Sequence, residues 1–177
     1  MSHILGISGS LRKGSYNSAL LRAAAGMDGV DLEIADISDI PLYNADVEKE
    51  GMPEPVVALH QRLAAADGLL LATPEYNSSI PGVLKNTLDW LSRPVPNALR
   101  EKPVAILGAS PGGFGTVMAQ AAWLPVLKSI GACHWSTERL LVSRASRVFD
   151  DNGELIDKGI AEKLHSFLKG FSSFIDG

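Results

Sequence analysis

The polar residues best suited to bind an anion are concentrated in one turn near the start of the chain. Residues 6–17 lie between an apolar run and a segment with helical spacing, and they include six polar or charged side chains, at Ser8, Ser10, Arg12, Lys13, Ser15 and Asn17. The first backbone N–H groups of a helix have no partner within it, and the helix dipole adds positive charge at the same place. Helix capping explains one such residue but not six, so we interpret the turn as an anion site.

The composition of this turn favours a phosphate monoester. A dinucleotide fingerprint uses glycines to bring the backbone close to a pyrophosphate, and a triphosphate P-loop needs Gly-x-x-x-x-Gly-Lys-Ser/Thr, which is absent here. A terminal phosphate carries about two negative charges at neutral pH. It therefore rewards several hydroxyl donors together with a guanidinium. The turn predicts a site for the phosphate of a mononucleotide.

Two later turns carry residues suited to a flat ring. In residues 73–82, Pro74 stiffens the turn, Tyr76 offers an apolar face, and Asn77 can both donate and accept hydrogen bonds. Residues 110–115 read Ser-Pro-Gly-Gly-Phe-Gly, so backbone free of side chains can lie against a planar ligand. Each turn alone is also typical of an ordinary strand-to-loop connection. Together with the phosphate site, they suit a flavin, which has an apolar end and an amide-like edge.

These turns follow apolar runs that alternate with helical segments. The apolar runs predict strands at 3–7, 32–37, 68–73, 103–108 and, as one interrupted strand, 132–135 with 139–142. The helical spacing predicts helices at 17–25, 56–66, 81–91, 116–130 and 157–175. Residues 40–55 contain three prolines and predict a long surface loop. The alternation predicts an α/β fold, a three-layer doubly wound parallel sheet of five strands, with residues 1–177 in a single domain. Ligands bind at the carboxyl ends of the strands in such sheets.

Composition narrows the classes of function. Hydrophobic residues make up 46% of the chain and charged residues 20%, which is typical of a globular protein. The net charge of −4 argues against nucleic-acid binding. The apolar runs are too short to cross a membrane and the N-terminus has no basic region, so we expect a cytoplasmic protein with no membrane association. Cys133 is the only cysteine, and we expect it to be buried in its strand; the scattered histidines predict no metal site.

Three motifs in this order resemble the NADPH-dependent FMN reductase family, which includes bacterial quinone, chromate and azo reductases. They are Gly-Ser-Leu-Arg-Lys-Gly-Ser-Tyr-Asn at 9–17, Pro-Glu-Tyr-Asn at 74–77 and Ser-Ile-Pro-Gly-Val-Leu-Lys-Asn-x-Leu-Asp-Trp-Leu-Ser at 79–92. The resemblance runs from about residue 3 to the C-terminal helix. It implies a flavodoxin-like sheet with strand order 2-1-3-4-5 and FMN at the point where the order reverses.

The resemblance also implies which residues bind the cofactor. The phosphate would be held by Ser10, Arg12, Ser15, Tyr16 and Asn17. One side of the isoalloxazine would be lined by Pro74, Glu75, Tyr76 and Asn77, and the other by Ser110, Gly112 and Gly113. No catalytic side chain is implied, because the flavin itself passes hydride from NAD(P)H to a small acceptor: a quinone, an azo or nitro compound, a metal oxyanion or free flavin. The family implies a homodimer or homotetramer, with the helix at 81–92 near the partner.

A second class of function stays open at this point. The chain could be a flavodoxin-like electron carrier, or a flavin-binding regulatory protein, without reductase activity of its own. Small electron carriers tend to be strongly acidic for docking to their partners, whereas the net charge here is only −4. The charge and the motif at 74–77 therefore favour the enzyme, and no motif selects NADPH over NADH.

Overall fold

A parallel β-sheet runs through the middle of the protein, and the computed structural model describes all of residues 1–177. Its strands are β1 (His3–Ser8), β2 (Asp31–Ala35), β3 (Gly68–Ala72), β4 (Pro103–Ala109), β5 (Cys133–His134) and β6 (Leu140–Val142). The order across the sheet is β2-β1-β3-β4-β5, with β6 also paired to β4. Every pairing is parallel. The predicted strand order is therefore confirmed.

The last strand is broken into two pieces along the same edge of β4. Strand β5 pairs with Pro103 and Val104, and β6 pairs with residues 107–109. The N–H of Trp135 still donates to the carbonyl of Val104 at 2.8 Å, and residues 136–139 leave the ladder between the two pieces. The prediction of one interrupted strand is confirmed.

Helices cover both faces of the sheet and enclose a separate hydrophobic core on each side. They are α1 (Tyr16–Ala25), α2 (Ala45–Glu50), α3 (Glu54–Ala65), α4 (Gly82–Leu91), α5 (Val117–Ile130) and α6 (Lys158–Asp176). Successive strand residues point to opposite faces, so Ile4 packs with α1 and α6 while Leu5 packs with α3, α4 and α5. None of the helices combines the length and the hydrophobicity that crossing a bilayer would require.

The prediction of a long surface loop at 40–55 was wrong in two places, because residues 45–50 form α2 and α3 begins at Glu54. The side chain of Asn44 caps α2 by accepting the N–H of Asp46 at 2.9 Å, and Gly51, with a φ of 142°, ends it. The prolines flank the six helical residues and do not interrupt them. No residue of α2 is buried, so it has no apolar periodicity that a sequence pattern could reveal.

The prediction that Cys133 is buried was also wrong. Its side chain is exposed, because β5 is the edge strand and has only two residues. An edge position leaves an apolar strand residue without a neighbour on its outer side.

Candidate functional site

Three loops meet at the carboxyl edge of the sheet: loop 1 (residues 9–15), loop 2 (73–81) and loop 3 (110–116). They follow β1, β3 and β4, which are neighbours in the sheet. The N–H of Gly9 donates to the carbonyl of Ala72 at 2.9 Å. A Cβ at Gly9 would lie 2.7 Å from Cγ of Pro81 and 2.9 Å from Cδ of Pro74. Loops 1 and 2 are therefore in contact because residue 9 has no side chain.

Loop 1 presents a group of backbone donors that have no acceptor within the protein. These are the N–H groups of Leu11, Arg12, Lys13, Gly14, Tyr16 and Asn17. Ser15 caps α1, its hydroxyl accepting the N–H of Ser18 at 3.2 Å. The side chains of Arg12 and Lys13 are exposed and form no salt bridge. Free N–H groups, a helix N-terminus and two cations fit a phosphate.

An aromatic pair supports the guanidinium of Arg12. Its Cζ lies 5.6 Å from the centre of the Tyr16 ring, and that ring stacks on Phe149 at 5.8 Å and 24°. Phe149 is buried in the core beneath α1 and α6. A cation over an aromatic face is attracted by the ring, so this arrangement favours one position for Arg12. Nothing in the sequence indicated Phe149, which lies far along the chain from loop 1.

Both polar atoms of the Asn17 side chain form hydrogen bonds to the end of β4. Its Nδ2 donates to the carbonyl of Ala109 at 3.0 Å, and its Oδ1 accepts the N–H of Ala109 at 2.9 Å. The residue is only 3% exposed. Asn17 thus joins the start of α1 to the start of loop 3, and the donor that it can offer a ligand is its backbone N–H.

Loop 2 contains a tight turn that exposes an aromatic ring. Tyr76 and Ser79 exchange two backbone hydrogen bonds, of 3.1 and 3.0 Å, and the residues between them, Asn77 and Ser78, both have positive φ. Tyr76 is 51% exposed, and its hydroxyl lies 3.5 Å from Oγ of Ser10 in loop 1. Pro74 is buried beneath the turn. A large exposed ring beside a donor-rich loop is suited to contact a bound ligand.

The carboxylate of Glu75 points to α5. Its Oε2 accepts the N–H groups of Met118 at 2.8 Å and Ala119 at 3.1 Å. The hydroxyl of Thr116, at the N-cap of this helix, accepts from Nε2 of Gln120 and caps none of the backbone N–H groups of the first turn. Glu75 therefore caps a helix that begins more than 40 residues later in the chain.

The glycines of loop 3 leave an open surface. Gly112 and Gly113 are exposed, and neither has a positive φ. A Cβ at Gly113 would meet nothing within 4 Å, and one at Gly112 would meet only Oγ of Ser110 at 3.8 Å. Ser110 closes the loop by donating to the carbonyl of Gly115 at 2.6 Å. Neither packing nor backbone conformation requires glycine at 112 and 113, so these positions fit the close approach of a flat ligand.

Asp36 follows β2, the strand beside β1, and its carboxylate bonds within its own turn. Asp36 accepts the N–H of Ser38 at 2.9 Å and is exposed. Hydrogen bonds from the backbone and side chain of Ser38 lower the pKa of Asp36. Asp36 therefore stabilises a local turn, and the positive charge of the candidate site comes from Arg12 and Lys13 in loop 1.

A group of backbone donors without acceptors, beside two exposed loops at the point between β1 and β3 where the strand order reverses, defines a flavodoxin-like mononucleotide-binding protein. The model of the NADPH-dependent FMN reductase family matches residues 2–146. The chain belongs to this family.

Individual relatives are similar over nearly the whole chain. A NAD(P)H-dependent FMN reductase of Pseudomonas aeruginosa is 45% identical over 174 residues, 97% of this chain and 94% of that protein. A quinone reductase of Escherichia coli K12 is 38% identical, covering 94% of this chain and 92% of that one. The solved structure of FerB, a flavoenzyme NAD(P)H:(acceptor) oxidoreductase from Paracoccus denitrificans, superposes with a TM-score of 0.89 at 33% identity, over 99% of this chain and 98% of that one. The chain is an NAD(P)H-dependent oxidoreductase with FMN as its cofactor, which favours the enzyme over the electron carrier.

Proposed function

We propose that loop 1 binds the phosphate of FMN and that the enzyme transfers electrons from NAD(P)H to a quinone. The observation that carries the proposal is the set of six backbone N–H groups without an acceptor, beside the free guanidinium of Arg12. A charged oxygen that accepts several such donors is held strongly.

The predicted phosphate residues take different parts in this proposal. Ser10 and Arg12 bind through their side chains, and Tyr16 acts through its ring, which supports Arg12. Ser15 holds the helix N-terminus in place, and Asn17 offers its backbone N–H while its amide anchors loop 3.

Loops 2 and 3 form the two walls of the proposed ring site. Pro74, Tyr76 and Asn77 line one wall, while the carboxylate of Glu75 between them bonds to α5. Ser110, Gly112 and Gly113 line the other wall. When bound, FMN supplies hydride transfer between the nicotinamide and the acceptor. The chain's own residues bind the ring, hold its position and leave one side open for the two substrates in turn.

A quinone is the acceptor that we favour among those considered. Residues 76–79 and 110–116 contain no charged side chain, so the walls themselves suit a neutral planar molecule better than a metal oxyanion. Relatives named as a quinone reductase and a 2-hydroxy-1,4-benzoquinone reductase, 38% and 36% identical, support the same choice.

We also propose that the protein is a cytoplasmic homodimer or homotetramer. An apolar stripe on α5 supports self-association, since Met118 and Leu124 are 53% and 46% exposed and Ala121 lies between them. Helix α4, expected near a partner, is the second surface to test. Dependence on NAD(P)H supports a location where that co-substrate is regenerated. Light scattering on the purified protein measures the assembly, and a monomer at micromolar concentration would contradict it.

The phosphate assignment is tested by calorimetry with FMN. Arg12→Ala removes a charge-assisted hydrogen bond of about 1.5–3 kcal/mol, so the Kd for FMN should rise roughly 10- to 100-fold. Arg100→Ala is the matched control, because Arg100 is exposed near the amino end of β4, at the opposite edge of the sheet. Equal affinity in the Arg12 variant and the wild type would refute the assignment.

The acceptor is tested with the holoenzyme under argon. We expect NADPH or NADH to bleach the visible flavin absorption and a benzoquinone to restore it. The kcat/KM for the benzoquinone should exceed the values for chromate, an azo dye and free FMN. A higher value for any of these three would replace the quinone in the proposal.

A further inference from the structure

Glu75 belongs to loop 2 but bonds to the start of α5, which follows loop 3. Its single oxygen Oε2 accepts two N–H groups of the first helical turn, at 2.8 and 3.1 Å. Because Thr116 makes no capping bond of its own, the helix relies on this distant side chain for an acceptor. The contact therefore joins loop 2 directly to the helix that follows loop 3.

Two further contacts, in the buried interior beneath Glu75, also connect the base of loop 2 to β4 and α5. The indole Nε1 of Trp123 in α5 donates to Oγ1 of Thr73 at 3.0 Å, and both residues are fully buried. Gly108 in β4 passes so close that a Cβ there would collide with the carbonyl of Thr73 and with Oγ1 of Thr116. The base of loop 2, the end of β4 and the start of α5 thus pack as one unit.

Farther from this base, no hydrogen bond joins residues 76–79 of loop 2 to residues 111–114 of loop 3, although loop 3 is itself anchored by the N–H of Arg144, which donates to the carbonyl of Gly112. Residues 76–79 of loop 2 and 111–114 of loop 3 are all exposed. Glu75 lies in the chain between the packed base and the exposed residues of loop 2, and its two hydrogen bonds join that point to the start of α5.

We infer that Glu75 is a positioning residue, whose hydrogen bonds to α5 fix the width of the slot between loops 2 and 3. This inference rests on the proposed ring site. It gives Glu75 a different part from lining the isoalloxazine: the carboxylate contacts the helix, and the ring is affected through the spacing of its walls. What the position requires is an acceptor oxygen at the reach of a glutamate, so glutamine can replace it.

Three substitutions of Glu75 test whether the length of the side chain or its negative charge is what the position requires. Glu75→Gln keeps an acceptor oxygen at the same reach, Glu75→Asp keeps the charge but withdraws the oxygen by one methylene, and Glu75→Ala removes both. Asp157→Ala is the matched control, since Asp157 caps α6 by accepting the N–H of Ile160 at 2.9 Å and its side chain makes no hydrogen bond to the three loops. The readouts are the Kd for FMN, the visible circular dichroism of bound flavin and Tm.

We expect Glu75→Ala and Glu75→Asp to raise the Kd for FMN about tenfold, the effect of losing one cap, and to change the flavin dichroism. Glu75→Gln should stay within about threefold of the wild type with an unchanged spectrum. Asp157→Ala should lower Tm while leaving the Kd and the spectrum unchanged.

Two results would overturn the inference. One is a lowered Tm in Glu75→Ala with wild-type Kd and dichroism, which would make Glu75 an ordinary helix cap. The other is a Glu75→Gln variant as impaired as Glu75→Ala, which would make charge the requirement. If Arg12→Ala bound FMN normally while the Glu75 variants behaved as expected, the phosphate assignment would fail and the inference would stand.

Discussion

Two glycines of the site are needed for opposite reasons. Gly9 is surrounded by the rings of Pro74 and Pro81, so a side chain there would push loop 1 away from loop 2. Gly113 has open space around it and an ordinary φ, so the fold alone would accept alanine. The first glycine serves packing within the protein, and the second serves the approach of a ligand.

Alanine substitutions should therefore separate stability from binding. Gly113→Ala should leave the free energy of unfolding unchanged or raise it by about 0.4–1 kcal/mol, because alanine restricts the unfolded chain. The same variant should bind FMN more weakly, since its Cβ enters the proposed ring site. Urea unfolding of the apoprotein and FMN titration measure the two effects.

Gly9→Ala is the comparison, and it should cost about 1–3 kcal/mol of stability through overpacking. Gly113→Ala with unchanged FMN affinity would show that loop 3 does not approach the cofactor.

The parts of the site that the sequence reveals are those whose partners are local. Ser10, Arg12 and Ser15 lie within one turn at a helix start, so their spacing alone indicates an anion site. Asn17 bonds to Ala109 and Glu75 to Met118, at separations of 92 and 43 residues. No local pattern specifies such pairs, because they depend on which strands become neighbours.

At the scale of elements, residues 41–51, which include α2, form a strap that packs against α4. Tyr43 packs edge-on against Trp90 at 4.9 Å, and its hydroxyl donates to Oε2 of Glu48 at 2.8 Å. Arg93 bonds to the same carboxylate at 2.9 Å. The carbonyl of Pro41 accepts hydrogen bonds from Trp90 and Asn86. Because α2 buries no residue, these contacts are what keep the strap docked.

The docking of the strap should depend on the ionisation of Glu48. Hydrogen bonds from Arg93 and then Tyr43 lower the pKa of Glu48. For an acid with a lowered pKa in the folded state, the stabilisation is complete above the ordinary pKa and is lost as the pH falls through the lowered one. The protection of residues 41–51 against hydrogen exchange, measured relative to the intrinsic rate at each pH, should therefore persist at neutral pH and fall once the pH drops below the ordinary glutamate pKa of about 4.3.

Glu48→Gln should remove this protection already at pH 7, and with it the dependence of the protection on pH. Glu50→Gln is the control, because Glu50 is exposed at the end of the same helix and makes no side-chain hydrogen bond. Protection that persists in the Glu48 variant at pH 7 would mean that the aromatic packing and the hydrogen bonds to Pro41 hold the strap without the carboxylate.

The strap contains the one α-helix that the sequence pattern did not predict, whereas the central strands were predicted. The strands at 68–72 and 103–109 are continuous apolar runs, and buried parallel strands have that pattern. Helix α2 consists of Ala-Asp-Val-Glu-Lys-Glu and forms against α4 through Tyr43 and Glu48. Its existence depends on tertiary contacts and a cap, which hydrophobic periodicity does not report.

For the molecule as a whole, the site connects three loops that belong to three different strands. Gly9 touches loop 2, Glu75 reaches α5 and Asn17 reaches β4. A ligand that binds all three loops only in the folded state adds its binding free energy to the stability of the entire chain.

FMN should therefore raise the Tm of the apoprotein. At a free concentration of 100 times Kd the stabilisation is about 2.7 kcal/mol, which corresponds to roughly 5–11 °C for a chain of this size. Riboflavin is the matched control ligand, since it has the same ring but lacks the phosphate that loop 1 is proposed to hold. Equal shifts with FMN and riboflavin at equal concentration would contradict a dominant role for loop 1.

The two borders of the sheet have a consequence for how copies of this protein can meet. On one side β5 and β6 are short and interrupted, and on the other β2 bears Asp31 and Glu33, which pair with His3 and Arg62. Interruption and charge both discourage a foreign strand from extending a sheet, so neither border offers a template for fibril growth. Association between copies is thereby directed to the helical faces, where it can close into a finite assembly.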